Sequence, residues 1–301
     1  MSKLKGDIPV GNWIDRWVPA PARPYLRLAR MDRPIGTWLL LFPCWWSLAL
    51  AAPGWPDLRL LALFAIGAVV MRGAGCTIND IADHKYDAKV ERTKARPIPS
   101  GAVSVRQAFV FLAFQLLLGL AVLVQLNWFT IGLGVLSLAL VFPYPLMKRI
   151  TWWPQAWLGL TFNWGALMGW AAVRGELSAA PVLLYAAGIL WTLGYDTIYA
   201  HQDKEDDALI GVKSTALRLG GASPRWFIGF YTGTLALMAA AGWAAGLGWA
   251  FYPILGLAGL QLYWQVFAGN IDDAADCLAK FKSNRFFGWG VLAAILAGKI
   301  L

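Results

Sequence analysis

Long apolar runs alternate with shorter polar segments along the whole chain. Each run is about 20 residues long, the length that a helix needs to cross the hydrocarbon core of a bilayer. None of them shows the polar–apolar alternation that is typical of a transmembrane β-strand. The runs predict nine membrane helices, near 35–52, 58–79, 103–123, 128–146, 153–173, 179–197, 224–245, 248–268 and 285–301. The eighth run contains Pro253 and Gln261 and the ninth ends at the last residue, so a count of eight stays open.

Composition indicates the same class of protein. Of the 301 residues, 58% are hydrophobic and only 14% are charged, whereas about a quarter of the residues in soluble domains are charged. We therefore predict an all-α, polytopic membrane protein. Residues 1–34, where basic and aromatic residues mix, are predicted to form a cytoplasmic or interfacial segment. Residues 35–301 are predicted to form a single membrane-embedded domain.

The basic residues predict an orientation. Net charge is +9, which in a membrane protein is explained by Lys and Arg in cytoplasmic loops, without a nucleic-acid partner. With the N-terminus inside, nearly all of the 26 Lys and Arg residues fall on the inner side. The exceptions are Arg59, Arg174 and Lys299 outside and Arg72 within the second helix. This asymmetry predicts an N-terminus inside and a C-terminus outside.

Two inside loops, 80–102 and 198–223, are long, and each begins at an acidic helix end. The first helix end reads NDIADHKYD, in which Asn79, Asp83 and Asp87 follow an i, i+4, i+8 spacing along one helix face. Asp80 lies beside that face. A lone ionised carboxylate at membrane depth costs about 3 kcal/mol, so these acids are expected to be functional and to have neutralising partners.

The second acidic segment, DTIYAHQDKEDD, repeats the pattern. Asp203 and Asp207 have the same i, i+4 spacing, and Asp196 is expected two turns earlier on the same side of a helix, with Tyr199 adjacent. The two segments suggest two related halves. Asp196 has an alternative role in holding helices together.

The ligand types point to a hard cation. Carboxylate and amide oxygens without His or Cys favour magnesium, which usually joins one or two carboxylates to phosphate oxygens. The pattern therefore predicts Mg²⁺ and a phosphorylated ligand. Basic residues near the acids could bind phosphate oxygens, although loop cations also serve as orientation signals. These candidates are Arg92, Arg96, Lys148, Arg149 and Lys213. Arg72 is either a counter-ion of the acids or a ligand of an anionic substrate.

At these residues the chain resembles the UbiA family of intramembrane aromatic prenyltransferases. NDxxDxxxD resembles the first signature of that family, and YDTIYAHQDKEDD its second Asp-rich motif, with DxxxD at Asp203 and Asp207. The residues of these motifs are most similar to those of the branch that acts on 4-hydroxybenzoate in ubiquinone biosynthesis. Further matches, in order along the chain, are RMDRPIG (30–36), MRGAGCTIND (71–80), ARPIPSG (95–101), YPLMKRITWWPQAWLG (144–159) and IGVKST (210–215).

The resemblance implies a bundle of nine membrane helices around a central cavity, magnesium dependence and a polyprenyl diphosphate donor. It implies an acceptor that is an aromatic acid, for which Arg33 or Arg72 would bind the carboxylate. The implied metal ligands are Asp83, Asp87, Asp203 and Asp207, with Asn79 as a neutral oxygen ligand and Asp80 and Asp196 as second choices. Tyr199 is implied at the second motif, where its ring would stabilise a cation or its hydroxyl would orient an acid.

Two alternatives stay open. The first is the same chemistry on a different aromatic acceptor. The second, from another class, is a cation-coupled transporter, which also carries intramembrane acids in repeated halves, but usually near the midplane. The N-terminal segment lacks the Arg- and Ser-rich, acid-poor composition of a mitochondrial leader, which favours a bacterial inner membrane with the site on its cytoplasmic side. Membrane lipid is the expected surrounding, while the prenyl chain length and the oligomeric state are not predicted.

Overall fold

The computed structural model describes residues 4–5, 8–9, 11–91 and 93–300. Two short strands, β1 (Leu4–Lys5) and β2 (Ile8–Pro9), pair antiparallel. The rest of the regular structure in the described residues is helical, which confirms the predicted class. The helices are α1 (Trp13–Trp17), α2 (Arg23–Leu28), α3 (Ile35–Ala51), α4 (Leu58–Asp87), α5 (Val105–Leu123), α6 (Trp128–Val141), α7 (Tyr144–Ile150), α8 (Pro154–Phe162), α9 (Gly165–Arg174), α10 (Ala179–His201), α11 (Lys204–Ile210), α12 (Thr215–Leu219), α13 (Ser223–Ala244), α14 (Phe251–Phe267) and α15 (Ala274–Ile300).

Every predicted run contains helix, but two runs are divided. The run 128–146 breaks between α6 and α7, where Pro143 and Pro145 supply no backbone N–H to continue the helix. The run 153–173 breaks at Asn163, whose Nδ2 donates to Gly159 O at 2.9 Å and to Thr192 Oγ1 at 2.8 Å. The run 153–173 is therefore two helices and not the one that was predicted, whereas 128–146 lies within one stretch, Trp128–Ile150, that is long and apolar enough to cross a membrane.

Four helical stretches of the described residues are long and apolar enough to cross a membrane. They are Leu58–Asp87, Val105–Leu123, Trp128–Ile150 and Thr215–Ala244. The apolar helix Ile35–Ala51 is shorter. The chain therefore has the helices of a membrane protein, while the count of nine and the orientation stay predictions.

Contacts group the chain into two compact units, which are described separately. The first contains Met1–Thr37 and Ala65–Gln125. Its core joins α2, α4 and α5 to the loop that follows α4, because Ile98 and Val103 of that loop are buried with Leu28 and Ile81. A capping box then starts α5, in which Ser104 Oγ accepts from Gln107 N. The loop after α4 is thus packed on the helices and is not merely a connection.

The second unit contains Trp38–Phe64 and Leu126–Leu301. Its centre is aromatic: Trp46 of α3, Trp191 of α10 and Phe287 of α15 are fully buried against one another. Trp46 Nε1 donates to Gly288 O at 2.8 Å, which satisfies the indole N–H inside this core. α10 therefore has α3 and α15 as close neighbours.

The last carbonyls of α3 receive two basic side chains. Arg174 Nε donates to Ala51 O at 2.8 Å, and Lys299 Nζ donates to Ala52 O. Cations at a helix C-terminus satisfy its free carbonyls and interact favourably with the helix dipole. Two of the three basic residues that were predicted outside thus have a local structural partner.

Candidate functional site

The first Asp-rich segment forms the last turns of α4. Asp80, Asp83 and Asp87 have 0%, 3% and 9% of their surface exposed, whereas their neighbours Lys85 and Tyr86 are exposed. Since α4 is uninterrupted to Asp87, Asn79, Asp83 and Asp87 keep the predicted i, i+4, i+8 spacing along one helix, and Asp80 follows Asn79. A row of buried carboxylates therefore lies at the C-terminal end of α4.

The loop after α4 returns to this row. Thr93 Oγ1 donates to the backbone carbonyl of Asp87 at 2.8 Å, and Arg96 Nη1 donates to Asp87 Oδ2 at 2.8 Å. The hydroxyl satisfies one of the carbonyls that a helix end leaves free. The guanidinium places a cation beside the last acid of the row. Arg96 therefore lies where it was predicted, whereas Arg92, predicted beside it, is outside the described residues.

Asp80 has a partner that the sequence analysis did not identify. Arg30 Nη2 donates to Asp80 Oδ1 at 2.7 Å, and Arg96 Nη1 lies 3.5 Å from the same oxygen. The other oxygen, Oδ2, is buried with no hydrogen-bond partner among the described residues. Arg30 belongs to the RMDRPIG segment, which the sequence pattern did identify. No sequence rule, however, pairs Arg30 with an acid 50 residues later.

The two arginines that were predicted for an aromatic carboxylate lie near the start of α3. Arg33 Nε lies 3.3 Å from Asp32 Oδ1. The Arg72 guanidinium lies directly over Gly36, where a Cβ would approach Nη2 to 2.8 Å. A side chain at position 36 of the RMDRPIG segment would therefore require the Arg72 guanidinium to move. The structure brings this segment and Arg72 together within the first unit.

The second Asp-rich segment is divided between two helices. α10 ends at His201, and Asp203 is the N-cap of α11, with φ −115° and ψ 6°. The prediction that Asp196 and Asp203 lie on one side of the same helix is therefore wrong. The spacing from Asp203 to Asp207 does survive as a helical turn, since Asp207 N donates to Asp203 O at 2.9 Å. Gly211, with φ 72°, then ends α11 in a conformation that favours glycine.

The structure brings together two of the basic segments that were predicted separately. Lys213 N donates to Lys148 O at 2.8 Å, and Lys213 Nζ donates to Ile150 O at 3.2 Å. Arg149 is exposed beside them. Lys148, Arg149 and Lys213 therefore form one basic patch, made by the last turn of α7 and the loop after α11.

The loop before α15 reaches α11. Lys204 Nζ donates to Asp272 Oδ1. This hydrogen bond, together with the positive charge of Lys204, lowers the pKa of Asp272 below its ordinary value of 3.8. The pair lies one residue from Asp203, so it attaches the start of α11 to the 268–273 loop.

Tyr199 is held by an aromatic partner. Its ring stacks on Phe281 of α15, with centroids 4.4 Å apart and planes inclined by 30°. Trp191, Tyr195 and Tyr199 follow an i, i+4, i+8 spacing on α10, and all three contact rings of α15. Phe281 was not identified from the sequence, because one more Phe in an apolar helix carries no distinguishing signal.

The donor set suits a hard cation. Each Asp-rich segment offers carboxylate oxygens. Each also contains one histidine, and these rings contact other groups: His84 Nδ1 lies 2.7 Å from Ile81 O, and His201 Nε2 lies 2.9 Å from Ser223 Oγ. Within the described part of the chain, no three or more His, Cys, Asp or Glu side chains form a compact metal cluster. The described acids fit magnesium, which needs only one or two protein carboxylates and takes further oxygens from phosphate and water.

A sequence profile of the UbiA prenyltransferase family matches residues 40–291. The chain belongs to this family. The matched UbiA region contains both Asp-rich segments, Asn79 to Asp87 and Asp196 to Asp207, so the predicted family is confirmed. The roles of the individual UbiA residues stay predictions at this point.

Curated UbiA proteins are similar over nearly the whole chain. A protein of Arabidopsis thaliana named 4-hydroxybenzoate polyprenyltransferase, mitochondrial, is 54% identical over 291 residues, which are 96% of this chain and 72% of that protein. A human protein of the same name is 53% identical over 285 residues, which are 94% of this chain and 77% of the human protein.

Solved UbiA structures have the same fold. The apo structure of a UbiA homolog from Aeropyrum pernix K1 has a TM-score of 0.68 and 28% identity, covering 87% of this chain and 96% of that one. A UbiA homolog from Archaeoglobus fulgidus bound to GPP and Mg²⁺ has a TM-score of 0.66, covering 91% of this chain and 99% of that one. The second is 19% identical, so it supports the fold alone.

Proposed function

We propose that this protein transfers a polyprenyl group from polyprenyl diphosphate to the ring of 4-hydroxybenzoate, ortho to the hydroxyl, in ubiquinone biosynthesis. The observation that carries this proposal is the identity of 54% over 96% of the chain with a protein of that name. The two Asp-rich segments, buried on α4 and half-buried at Asp196, Asp203 and Asp207, would supply the chemistry that such a reaction needs.

We propose magnesium as the cofactor. Asn79, Asp83 and Asp87 would hold it at the first segment, and Asp203 and Asp207, with Asp196 as a further candidate, at the second. When bound, the metal would stabilise the negative charge that develops on the departing diphosphate. The UbiA homolog bound to GPP and Mg²⁺ supports this choice, and so does the all-oxygen donor set of this chain.

The chain's own cations would bind the diphosphate. Arg96 lies beside Asp87, and the patch of Lys148, Arg149 and Lys213 presents basic groups near the second segment; Arg92 remains a further candidate. The allylic C–O bond breaks and both electrons leave with the diphosphate, so N–H donors at these oxygens stabilise the leaving group. The allylic carbon then bonds to the acceptor ring, which loses its proton to restore aromaticity.

Three further residues would serve the organic substrates. We propose that Arg33 or Arg72 pairs with the carboxylate of the acceptor, since both lie near the start of α3 in the first unit. We propose that Tyr199 presents its ring to the developing cation, and its stacking on Phe281 would hold that ring in place.

The finer membrane placement is also a proposal. Nine crossing helices, an inside N-terminus, one domain over 35–301 with a central cavity, and a site on the cytoplasmic face follow from hydropathy and the Lys and Arg asymmetry. The bacterial inner membrane was favoured by composition, but the similar curated proteins are mitochondrial. Those names speak against the bacterial assignment, so the proposal is limited to a membrane in which ubiquinone is made.

The direct test is transfer of label from 4-hydroxybenzoate into the lipid extract of membranes that contain this protein. Polyprenyl diphosphate is added with magnesium or with a chelator, and Asp83→Asn is measured beside Glu205→Gln, an exposed acid of the second segment. We expect transfer that is lost with chelator and in Asp83→Asn but kept in Glu205→Gln. Transfer to another aromatic acceptor alone would change the substrate, and no transfer to any acceptor would favour the transporter.

A further inference from the structure

We propose that Asp80 is a positioning residue and not a ligand of the metal. With Arg30 and Arg96 it forms a buried charge cluster, named here the Asp80 anchor, that attaches two separate chain segments to α4. This inference rests on the proposed function, because it assigns a role to one of the acids that had been predicted as metal ligands.

The first argument is the neutralisation of Asp80 by the protein itself. Its side chain has 0% exposure, and those of Arg30 and Arg96 have 11% and 13%. A buried carboxylate needs a counter-charge, and here Arg30 supplies it with a 2.7 Å hydrogen bond. A divalent cation on the same carboxylate would lie close to two guanidinium groups, those of Arg30 and Arg96, and be repelled by both. Arg96 exerts the same repulsion at Asp87, so Asp80 is distinguished by its complete burial and by the second guanidinium, that of Arg30.

The second argument is the backbone of Arg30. Its φ of 57° is the single positive value for a non-glycine residue in the described part of the chain. A left-handed conformation is uncommon for a residue with a Cβ, and glycine would adopt it without that cost. Arginine at this position is explained by its side chain, which bonds Asp80 and also donates from Nη1 to Arg27 O at 3.1 Å.

The third argument is the position of Arg96 between two acids. Its Nη1 lies 2.8 Å from Asp87 Oδ2 and 3.5 Å from Asp80 Oδ1. If Asp87 takes part in metal binding, Asp80 still provides a carboxylate that keeps Arg96 beside the row. The anchor thus holds the loop after α4 at one side and the segment between α2 and α3, with Arg33, at the other.

The experiment measures metal affinity directly. Mn²⁺ is titrated into the purified full chain in detergent, with inorganic diphosphate present, and free Mn²⁺ is followed by electron paramagnetic resonance. The variants are Asp80→Asn, Arg30→Gly and the double variant. Arg30→Gly suits the left-handed backbone, so it removes the side chain alone. Asp83→Asn is the variant of a proposed ligand, and Asp15→Asn removes a different Arg–Asp pair of the N-terminal segment, Arg27–Asp15.

If Asp80 is an anchor, Asp80→Asn and Arg30→Gly weaken Mn²⁺ binding in the same direction, by about 10- to 100-fold as for other partners of metal ligands. The double variant binds Mn²⁺ no more weakly than either single variant, and millimolar guanidinium restores part of the affinity of Arg30→Gly.

If Asp80 is a ligand, the two substitutions change the Mn²⁺ affinity in opposite directions. Asp80→Asn then loses bound Mn²⁺, as Asp83→Asn does, while Arg30→Gly binds it more tightly because a competing cation is gone. That result would overturn the proposal.

Failure of the proposed function would look different. If the unaltered chain binds no Mn²⁺, the metal role is wrong, and the anchor is then tested by thermal unfolding of the same variants. Equal and non-additive losses for Asp80→Asn and Arg30→Gly would support the anchor. Additive losses, or losses no larger than that of Asp15→Asn, would overturn it.

Discussion

The two Asp-rich segments have similar sequences but different surroundings. In the first, one continuous helix carries all the acids, and arginines from other segments bond directly to Asp80 and Asp87. In the second, the helix is broken before Asp203, so the acids are divided between α10 and the start of α11. Lys204, next to Asp203, donates to Asp272 of the loop before α15. The same residue types therefore lie on one continuous helix in the first segment and on two helices joined by a short turn in the second.

This difference determines whether the distances between the acids of each segment can change. The buried acids of α4 are related by helical geometry, so their spacing cannot alter without unfolding the helix. Asp196 and Asp203 lie on opposite sides of the joint at residue 202. A change of backbone angles at this joint would move α11 relative to α10. The first segment is thus suited to define a position, and the second to adapt to a ligand.

The largest expected effects come from removing one acid of each segment. Asp83→Asn and Asp207→Asn should each lower the rate of prenyl transfer by about 10²- to 10³-fold, comparable to the loss of one group that stabilises developing charge. The measurement is the initial rate at saturating magnesium, together with the magnesium concentration for half-maximal rate.

The comparison predicts a difference between these two variants. Raising magnesium should rescue Asp207→Asn further than Asp83→Asn, because α11 can adapt to a remaining ligand and α4 cannot. Equal rescue of both would contradict the distinction between a rigid and a jointed segment. Glu205→Gln, which changes an exposed acid, is the control.

A smaller effect is expected from the polar network that holds α10. Trp191 Nε1 donates to Asn284 Oδ1 at 2.9 Å, and Asn284 Nδ2 donates to Gln265 Oε1 at 3.1 Å. Asn284→Leu leaves buried donors and acceptors without partners, so it should lower the free energy of unfolding by about 1–3 kcal/mol. Unfolding in a sodium dodecyl sulfate titration measures this loss. Gln261→Leu, at the half-buried edge of the network, should cost less, and an equal cost would contradict this account.

A third variant acts on the end of α11. Gly211 has φ 72°, so Gly211→Ala should cost about 1 kcal/mol in this left-handed conformation, whereas Gly211→Asn should cost less. Since α11 carries Asp207, the magnesium dependence of transfer should shift in the order glycine, asparagine, alanine. The magnesium concentration for half-maximal transfer rate measures this shift. An unchanged magnesium dependence in Gly211→Ala would mean that α11 does not take part in metal binding.

The smallest effect concerns the exposed Lys204–Asp272 pair. Its hydrogen bond and charge lower the pKa of Asp272, so the contribution of this pair is present above the ordinary value of 3.8 and is lost as pH falls through the lowered one. Asp272→Asn should therefore change the transfer rate by less than about twofold, equally from about pH 5 to about pH 8. A pH-dependent loss in that range would indicate another partner for Asp272.

Much of the architecture was readable from the sequence, since hydropathy located every long helix and the spacing of Asn79, Asp83 and Asp87 holds on α4. The joint between α6 and α7 has a sequence signal in Pro143 and Pro145, but the joint at Asn163 has none, because it depends on particular contacts. Asn163 bends the chain through hydrogen bonds to Gly159 and Thr192.

The pairing of Arg30 with Asp80 also could not be predicted from the sequence. A contact across 50 residues leaves no periodic pattern in one sequence. The same holds for Phe281 against Tyr199, where an apolar ring in an apolar helix looks like any other. Sequence patterns therefore located the Asp-rich segments but not the residues from elsewhere in the chain that contact them.

The contacts of α3 with α15 have a consequence for biogenesis. Trp46 bonds to Gly288 and Ala52 to Lys299, across 242 and 247 residues. A chain emerges from the ribosome with its N-terminal part first, so α3 reaches the bilayer long before these partners are translated. Until then its indole N–H and its last carbonyl depend on lipid headgroups, water or the insertion machinery. Slower translation of α15 would therefore lengthen the time during which α3 lacks these two hydrogen-bond partners.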